Sequence, residues 1–239
     1  DRIIISASGN VDHQKFVDLI GPAFESIRKR DGFPERKTPT GNTSINLHTR
    51  KLEQTHICIG VNGLSTGHPL RYGFSLMSTL LGGNMSSRLF QDIREKRGLA
   101  YTVYSFVSTH VDSGMFGAYA AVDPLRASET AQLLVNHMHR LKERRVRESE
   151  LRGAKEYIKG NLLLSSESSE NQMVRLAQNE MHFQRQVPLQ EVVEKIDAVT
   201  TDDIQDIADR LFSNSKTSLT VLGPAKDKTD YENILSPFI

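Results

Sequence analysis

Arg94 and Tyr101 carry the most specific chemistry in this sequence, a guanidinium and a phenol set seven residues apart. Gly98 stands between them as a helix-stop signal. Arg94 therefore falls near the end of a helix that runs through Leu89, Phe90 and Ile93, and Tyr101 heads the strand that follows. A tight helix-to-strand corner can bring both side chains to one surface. There the guanidinium can anchor a peptide carbonyl and the phenol can donate to an oxyanion developing on it. The plainer reading is an arginine favouring the negative end of the helix dipole and an ordinary strand tyrosine. Spacing alone favours that plainer reading.

Other patterns are weaker. Gly82-Gly83-Asn84-Met85-Ser86-Ser87 is a glycine turn feeding a helix N-terminus, whose free N–H groups could hold a phosphate or carboxylate. It lacks the Lys-Ser/Thr of a phosphate loop, and chain reversal between two helices accounts for it. Gly63-Leu64-Ser65-Thr66-Gly67 matches the G-x-S-x-G nucleophile elbow, and Asp123 and His182 follow in the required order. No HGGG-like oxyanion segment precedes it, and the downstream strands read as a hairpin rather than parallel units. The eight histidines include no H-E-x-x-H or H-x-x-E-H. His137 and His139, two apart on a helix, diverge. His48 and His56 lie on neighbouring predicted strands and could face one another, though exposed or hydrogen-bonded histidines are the simpler reading. Cys58 is the sole cysteine, which excludes an internal disulfide and a cysteine-rich zinc site. A free thiol is compatible with a reducing compartment but does not locate the chain.

The elements that must position these residues follow from periodicity. A strand-like run from Ile3 to Ala7 and a helix behind Asp12, carrying Phe16, Leu19 and Ile20, open the chain. A charged, proline- and glycine-containing stretch follows and reads as a linker. Its basic residues could form an anion site; a solvated linker is simpler. Ser44–Arg50 and His56–Val61 alternate as strands. A helix with Phe74, Met77, Leu80 and Leu81 ends at Gly82-Gly83. Tyr101–Thr109 and Met115–Val122 flank the turn Asp112-Ser113-Gly114, which predicts an antiparallel hairpin. Helices are predicted over 127–142, 148–164, 168–184 and 189–196, and another behind Thr200, with a last strand over 217–222. Paired strands followed by a helical block favour α+β over regular βαβ alternation.

Composition bounds the function. The 239 residues suffice for one large domain, or one domain and part of another. At 38% apolar they can build a sizeable core. Thirty basic minus 29 acidic residues gives +1, which removes the electrostatic argument for nucleic acid or an anionic membrane. No run approaches the ~18 apolar residues of a membrane span. Asp1 is followed at once by a strand-like run with no targeting segment, so further sequence is expected upstream. The compartment is not legible.

Taken together, Gly67-His68-Pro69, Leu80-Leu81-Gly82-Gly83, Ser86-Ser87-Arg88-Leu89-Phe90 and Ile93 to Tyr101 resemble, in order, the pitrilysin/insulinase family of zinc metallopeptidases. The nearest group is the mitochondrial-processing-peptidase-like branch, and the likeness covers most of 43–225. It implies an α+β fold: a mostly antiparallel sheet with helices on one face. Residues 1–30 would end a preceding homologous module and 31–42 would link the two. Residues 43–225 would be the zinc-free C-terminal module, and 226–239 a tail. By the same resemblance Arg94 would anchor substrate, Tyr101 would donate a hydrogen bond to the tetrahedral intermediate, and Gly82, Gly83 and Asn84 would handle substrate. The family's zinc motif is absent from this sequence, so zinc is expected in a missing N-terminal module or a partner. The implied function is the substrate-binding half of a zinc-dependent endopeptidase acting on peptides or unfolded segments, inactive alone. The alternative is a non-catalytic partner that binds peptide for a separate zinc-bearing subunit. A second copy pairing through the apolar N-terminal strands leaves monomer and dimer both open.

Overall fold

Every second side chain of residues 55–62 is apolar or small and buried: Thr55, Ile57, Ile59 and Val61 point into a core, while His56, Cys58 and Gly60 between them are half-buried. That alternation is the signature of a sheet with one covered face. The computed structural model, which describes residues 3–27, 32, 35, 37–213, 216–225 and 227–235, places the segment at the centre of such a sheet.

In chain order the elements are α1 (His13–Phe24), β1 (Ser44–Thr49), β2 (Thr55–Asn62), α2 (Arg71–Ser78), β3 (Ala100–Thr109), β4 (Gly114–Val122), α3 (Ala127–Glu143) and α4 (Glu148–Ser166). Then follow α5 (Ser169–Phe183), α6 (Leu189–Ala198), α7 (Thr201–Phe212), β5 (Ser218–Gly223) and α8 (Thr229–Glu232). Two π-helical stretches, Thr79–Gly83 and Phe90–Lys96, lie between α2 and β3. The strands are ordered β1-β5-β2-β4-β3. Only β1 and β5 run parallel; the other pairings are antiparallel. The fold is α+β with a mostly antiparallel sheet, as expected, and β3 and β4 form the predicted hairpin. β5 inserts between β1 and β2, so Leu222 separates His48 from His56, and the simpler of the two readings of that pair holds.

Helices cover one face. Phe116 from β4 meets Phe74 of α2 at 5.9 Å and Phe212 of α7 at 5.8 Å between ring centroids, and all three are fully buried. Helix α7 is started by a reciprocal box, Asp203 N–H donating to Thr200 Oγ1 (3.1 Å) and Thr200 N–H to Asp203 Oδ2 (2.7 Å). The opposite face carries His56, Cys58, Thr102, Tyr104, Phe106, Met115 and Tyr119, as the ladder registers require. No described helix is long and apolar enough to cross a membrane.

The two ends differ in kind. Residues 3–7 join no ladder among the described residues, and α1 buries none of its side chains. Ser6 Oγ touches the rest of the protein through Met173 O at 2.9 Å. Residues 31, 33, 34 and 36 of the expected linker lie outside the described residues. At the other end, residues 226 and 236–239 of the expected tail lie outside the described residues, and the stretch between packs back onto the fold. Tyr231, Ile234 and Leu235 are buried in the core, because their three- and four-residue spacing makes one apolar face of a short helical turn. The charges from Lys226 to Asp230 mask that face in the sequence. Leu235→Ala should therefore lower the unfolding free energy by about 2–5 kcal/mol in urea titrations, the cost of a core leucine. A loss below about 0.5 kcal/mol would indicate a surface residue instead.

Candidate functional site

The corner between the second π-helix and β3 is closed by backbone hydrogen bonds. Leu99 N–H donates to Ile93 O (2.9 Å) and Gly98 N–H to Arg94 O (3.2 Å). Gly98 turns at φ +60°, a left-handed conformation that a residue with a Cβ adopts only at a cost. One residue later the ladder slips. Ala100 pairs with Val122 and Thr102 with Ala121, leaving Tyr101 as the extra residue of a β-bulge. Ala100 and Val103 both face the core, so the alternation has lost a step between them. Tyr101 is ejected and is 76% exposed.

The structure brings Arg94 and Tyr101 together. The Arg94 guanidinium carbon lies 4.5 Å from the Tyr101 ring centroid and 4.7 Å from that of Phe90, a ring sequence reasoning had not included. The two cation–π contacts hold the planar group while leaving N–H groups to donate. The nearest carboxylate contact is loose, 3.8 Å from Arg94 Nε to Glu95 Oε1. The Tyr101 hydroxyl makes no hydrogen bond to another described residue.

Asp92 fixes the π-helix to the rest of the fold. Its Oδ2 lies 2.8 Å from Nε2 of the buried His137 on α3, and its Oδ1 lies 3.2 Å from Arg97 Nε. Burial alone would raise the Asp92 carboxyl; the hydrogen bonds from His137 and Arg97 outweigh it and hold it below the usual carboxylate range. For His137, burial lowers the imidazole against the opposing pull of Asp92, and Arg140 and Arg88 add to the lowering. The neutral ring is thus the favoured form, donating Nε2–H to a carboxylate that can only accept. His139, by contrast, faces Glu143 at 3.3 Å.

Gly82, Gly83 and Asn84 form a packed turn further along β3. A Cβ on Gly82 would fall 2.3 Å from Ser105 N and 2.8 Å from Tyr104 C, so backbone meets backbone. Ser105 Oγ donates to Ser78 O at 2.6 Å and completes the seam. Asn84 Oδ1 accepts from Ser86 N–H (2.8 Å), and Asn84 O from Ser87 Oγ (2.6 Å), starting the next helix. Arg88 clamps that helix to Glu150 of α4 through two bonds of 2.7 and 3.0 Å. Asn84, Ser87, Gly153 and Tyr157 line a groove of about 380 Å³ between this turn and α4. The turn and the Arg94–Tyr101 pair share β3 but sit apart on it, since Ser105 is four residues, or about 13 Å, beyond Tyr101.

The remaining candidates disperse. Asp123 caps a short turn by accepting from Leu125 N–H at 2.8 Å, and no hydrogen bond among the described residues links Ser65, Asp123 and His182. His56 Nδ1 lies 2.7 Å from Tyr119 Oη, and the Tyr119 ring meets that of Tyr104 at 5.0 Å with a 34° tilt. The alternation of β2 signalled the exposure of His56 but not its partner. No three His, Cys, Asp or Glu side chains among the described residues come close enough to share a metal ion, so the residues present do not fit a zinc site.

A family model described as the peptidase M16 inactive domain matches residues 1–158. The chain belongs to the peptidase M16 family. The resemblance read from the sequence is thus borne out. An uncharacterized zinc protease of Streptomyces coelicolor is 34% identical over 238 residues, covering 95% of this chain and 51% of that protein. One from Bacillus subtilis is 32% identical over 225 residues, covering 94% and 54%. The chain spans about half the length of the curated relatives it matches. Among solved structures, a peptidase M16 inactive domain from Pseudomonas fluorescens superposes with a TM-score of 0.81 at 20% identity, over 91% of this chain and 53% of that one. A protease from Helicobacter pylori gives 0.78 at 20% identity, over 90% and 54%.

Two outcomes follow for this M16 domain. Gly82→Ala must push β3 away and should cost about 1–3 kcal/mol in urea unfolding; an unchanged midpoint would show that the strand yields freely. His137, lowered from 6.5, contributes stability that is complete above that value and is lost as pH falls through its folded pKa. Asp92 repeats the same sign in the more acidic window below 3.8. His137→Gln keeps a donor to Asp92 but cannot titrate. It should flatten the fall in stability as pH drops below 6.5, and an unaltered slope would assign that fall to other groups.

Proposed function

We propose that this chain is the substrate-gripping half of a zinc-dependent endopeptidase acting on peptides or unfolded segments. Its metal centre is supplied by a homologous zinc-bearing module, in the same polypeptide or a partner. One observation carries the reading: a guanidinium held by two rings beside an exposed phenol whose hydroxyl has no hydrogen-bond partner among the described residues, at a bulge that frees Tyr101 from the sheet. Arg94 binds and orients a substrate carbonyl. Tyr101 donates its O–H to the oxygen as negative charge gathers there. The neighbouring open sheet face supports a polypeptide ligand, because the residues its registers place there, from Asn46 and His48 through Thr220 and Cys58 to Tyr119 and Tyr104, include no Asp, Glu, Lys or Arg. Gly82, Gly83 and Asn84, of which Asn84 lines the groove against α4, extend the grip along the substrate.

The test uses the intact protein with its zinc-bearing module and an unfolded peptide. Tyr101→Phe should lower kcat by roughly 10–1000-fold with little change in KM, as loss of an oxyanion donor does. Arg94→Ala should lower kcat and raise KM together, since it also loses ground-state binding. The 239-residue chain alone, given zinc and the same peptide, should show no turnover. Unchanged kcat and KM in both variants, or metal-dependent turnover by the isolated chain, would overturn the proposal.

A further inference from the structure

A second site lies behind the sheet, where α2, α4, α5 and α6 converge near the end of β3. A cavity of about 350 Å³ opens there, walled by Phe74, Val107, Ile158, Leu162, Val192 and Ile196. That volume is at the lower end of the range for small-molecule sites, which are typically apolar with a few placed polar groups. One charged group borders this one, the guanidinium of Arg71. Arg71 forms no ion pair among the described residues. Its guanidinium carbon is 4.4 Å from the Tyr72 ring centroid and 5.0 Å from that of Phe183, and its Nη2 donates to Tyr72 Oη at 3.0 Å. Glu191, a carboxylate whose charge Arg71 feels, is held by Arg185 through two bonds of 2.8 and 2.6 Å.

We propose that this cavity binds a small apolar carboxylate, its chain among the aliphatic side chains and its head group on Arg71. The chemistry is complementary at both ends. A carboxylate accepts from the guanidinium fork. A linear alkyl chain removes apolar wall from water. Arg71 takes no part in the Arg94–Tyr101 corner, so the site stands independently of the peptidase reading.

Decanoate and its neutral counterpart decanol are suitable probes, titrated into the full 239-residue chain by calorimetry below the concentration at which either self-associates. Decanoate should bind saturably, one molecule per chain, and raise the melting temperature. Arg71→Gln should weaken decanoate roughly ten- to hundredfold, the loss of a charged hydrogen bond, and leave decanol unchanged. Val192→Phe, or Leu162→Phe should the first not fold, fills the cavity and should abolish both. The proposal is overturned by absence of saturable decanoate binding, by equal decanoate affinity in Arg71→Gln, or by wild-type binding in a folded cavity-filled variant.

Discussion

A sheet covered on one face only must sort its residues strictly, and that sorting governs everything else in this fold. Ile57, Ile59 and Val61 can reach the helices only if His56, Cys58 and Gly60 face away. The same parity sends Phe116 toward Phe74 and Phe212, and Tyr119 toward His56 and Tyr104. A one-residue slip would exchange the two sets. The aromatic, uncharged character of the open face is thus the reverse side of the apolar core. It is a consequence of the pattern that makes the protein fold.

The candidate site arises where that sorting is interrupted. Between Ala100 and Val103 the strand carries one residue too many, and the surplus residue is Tyr101. The bulge frees Tyr101 from both faces. Gly98 then determines the direction from which Arg94 approaches it, and Asp92, held by His137 and Arg97, anchors the helix that presents Arg94. Each contact is modest alone. Together they place a charge beside a phenol without burying either, which keeps the desolvation cost of the charge small.

Much of this was legible in the sequence, for identifiable reasons. Alternation in 56–61 and the Asp112-Ser113-Gly114 turn are local signals, and the strands and hairpin follow from them. Thr200 and Asp203 announce α7 through groups three residues apart. The motifs from Gly67 to Tyr101 carry the family and the Arg94–Tyr101 pair. What was not legible joins distant segments or shifts a count by one. Insertion of β5 between β1 and β2 pairs residues more than 150 positions apart. His137 lies 45 residues from Asp92. The bulge is a parity break of one residue, and the closeness of Gly82 to β3 is visible only once both backbones are in place. The short helical turn that buries Leu235 falls below the length at which periodicity can be read.

The π-winding of Phe90–Lys96 has an evolutionary corollary. A π-turn holds one more residue than an α-turn over the same span, so its side-chain bearings depend on the number of residues as well as on their identities. Phe90, Asp92, Ile93 and Arg94 each meet a different neighbour from within five positions: a guanidinium, an imidazole, the core and two rings. Deleting or inserting a single codon here would rotate all of these against their partners at once. Lineages can thus vary this segment by substitution far more readily than by length, and a fixed residue count between the Gly82-Gly83 turn and Gly98 is the trace such a constraint leaves in descendants.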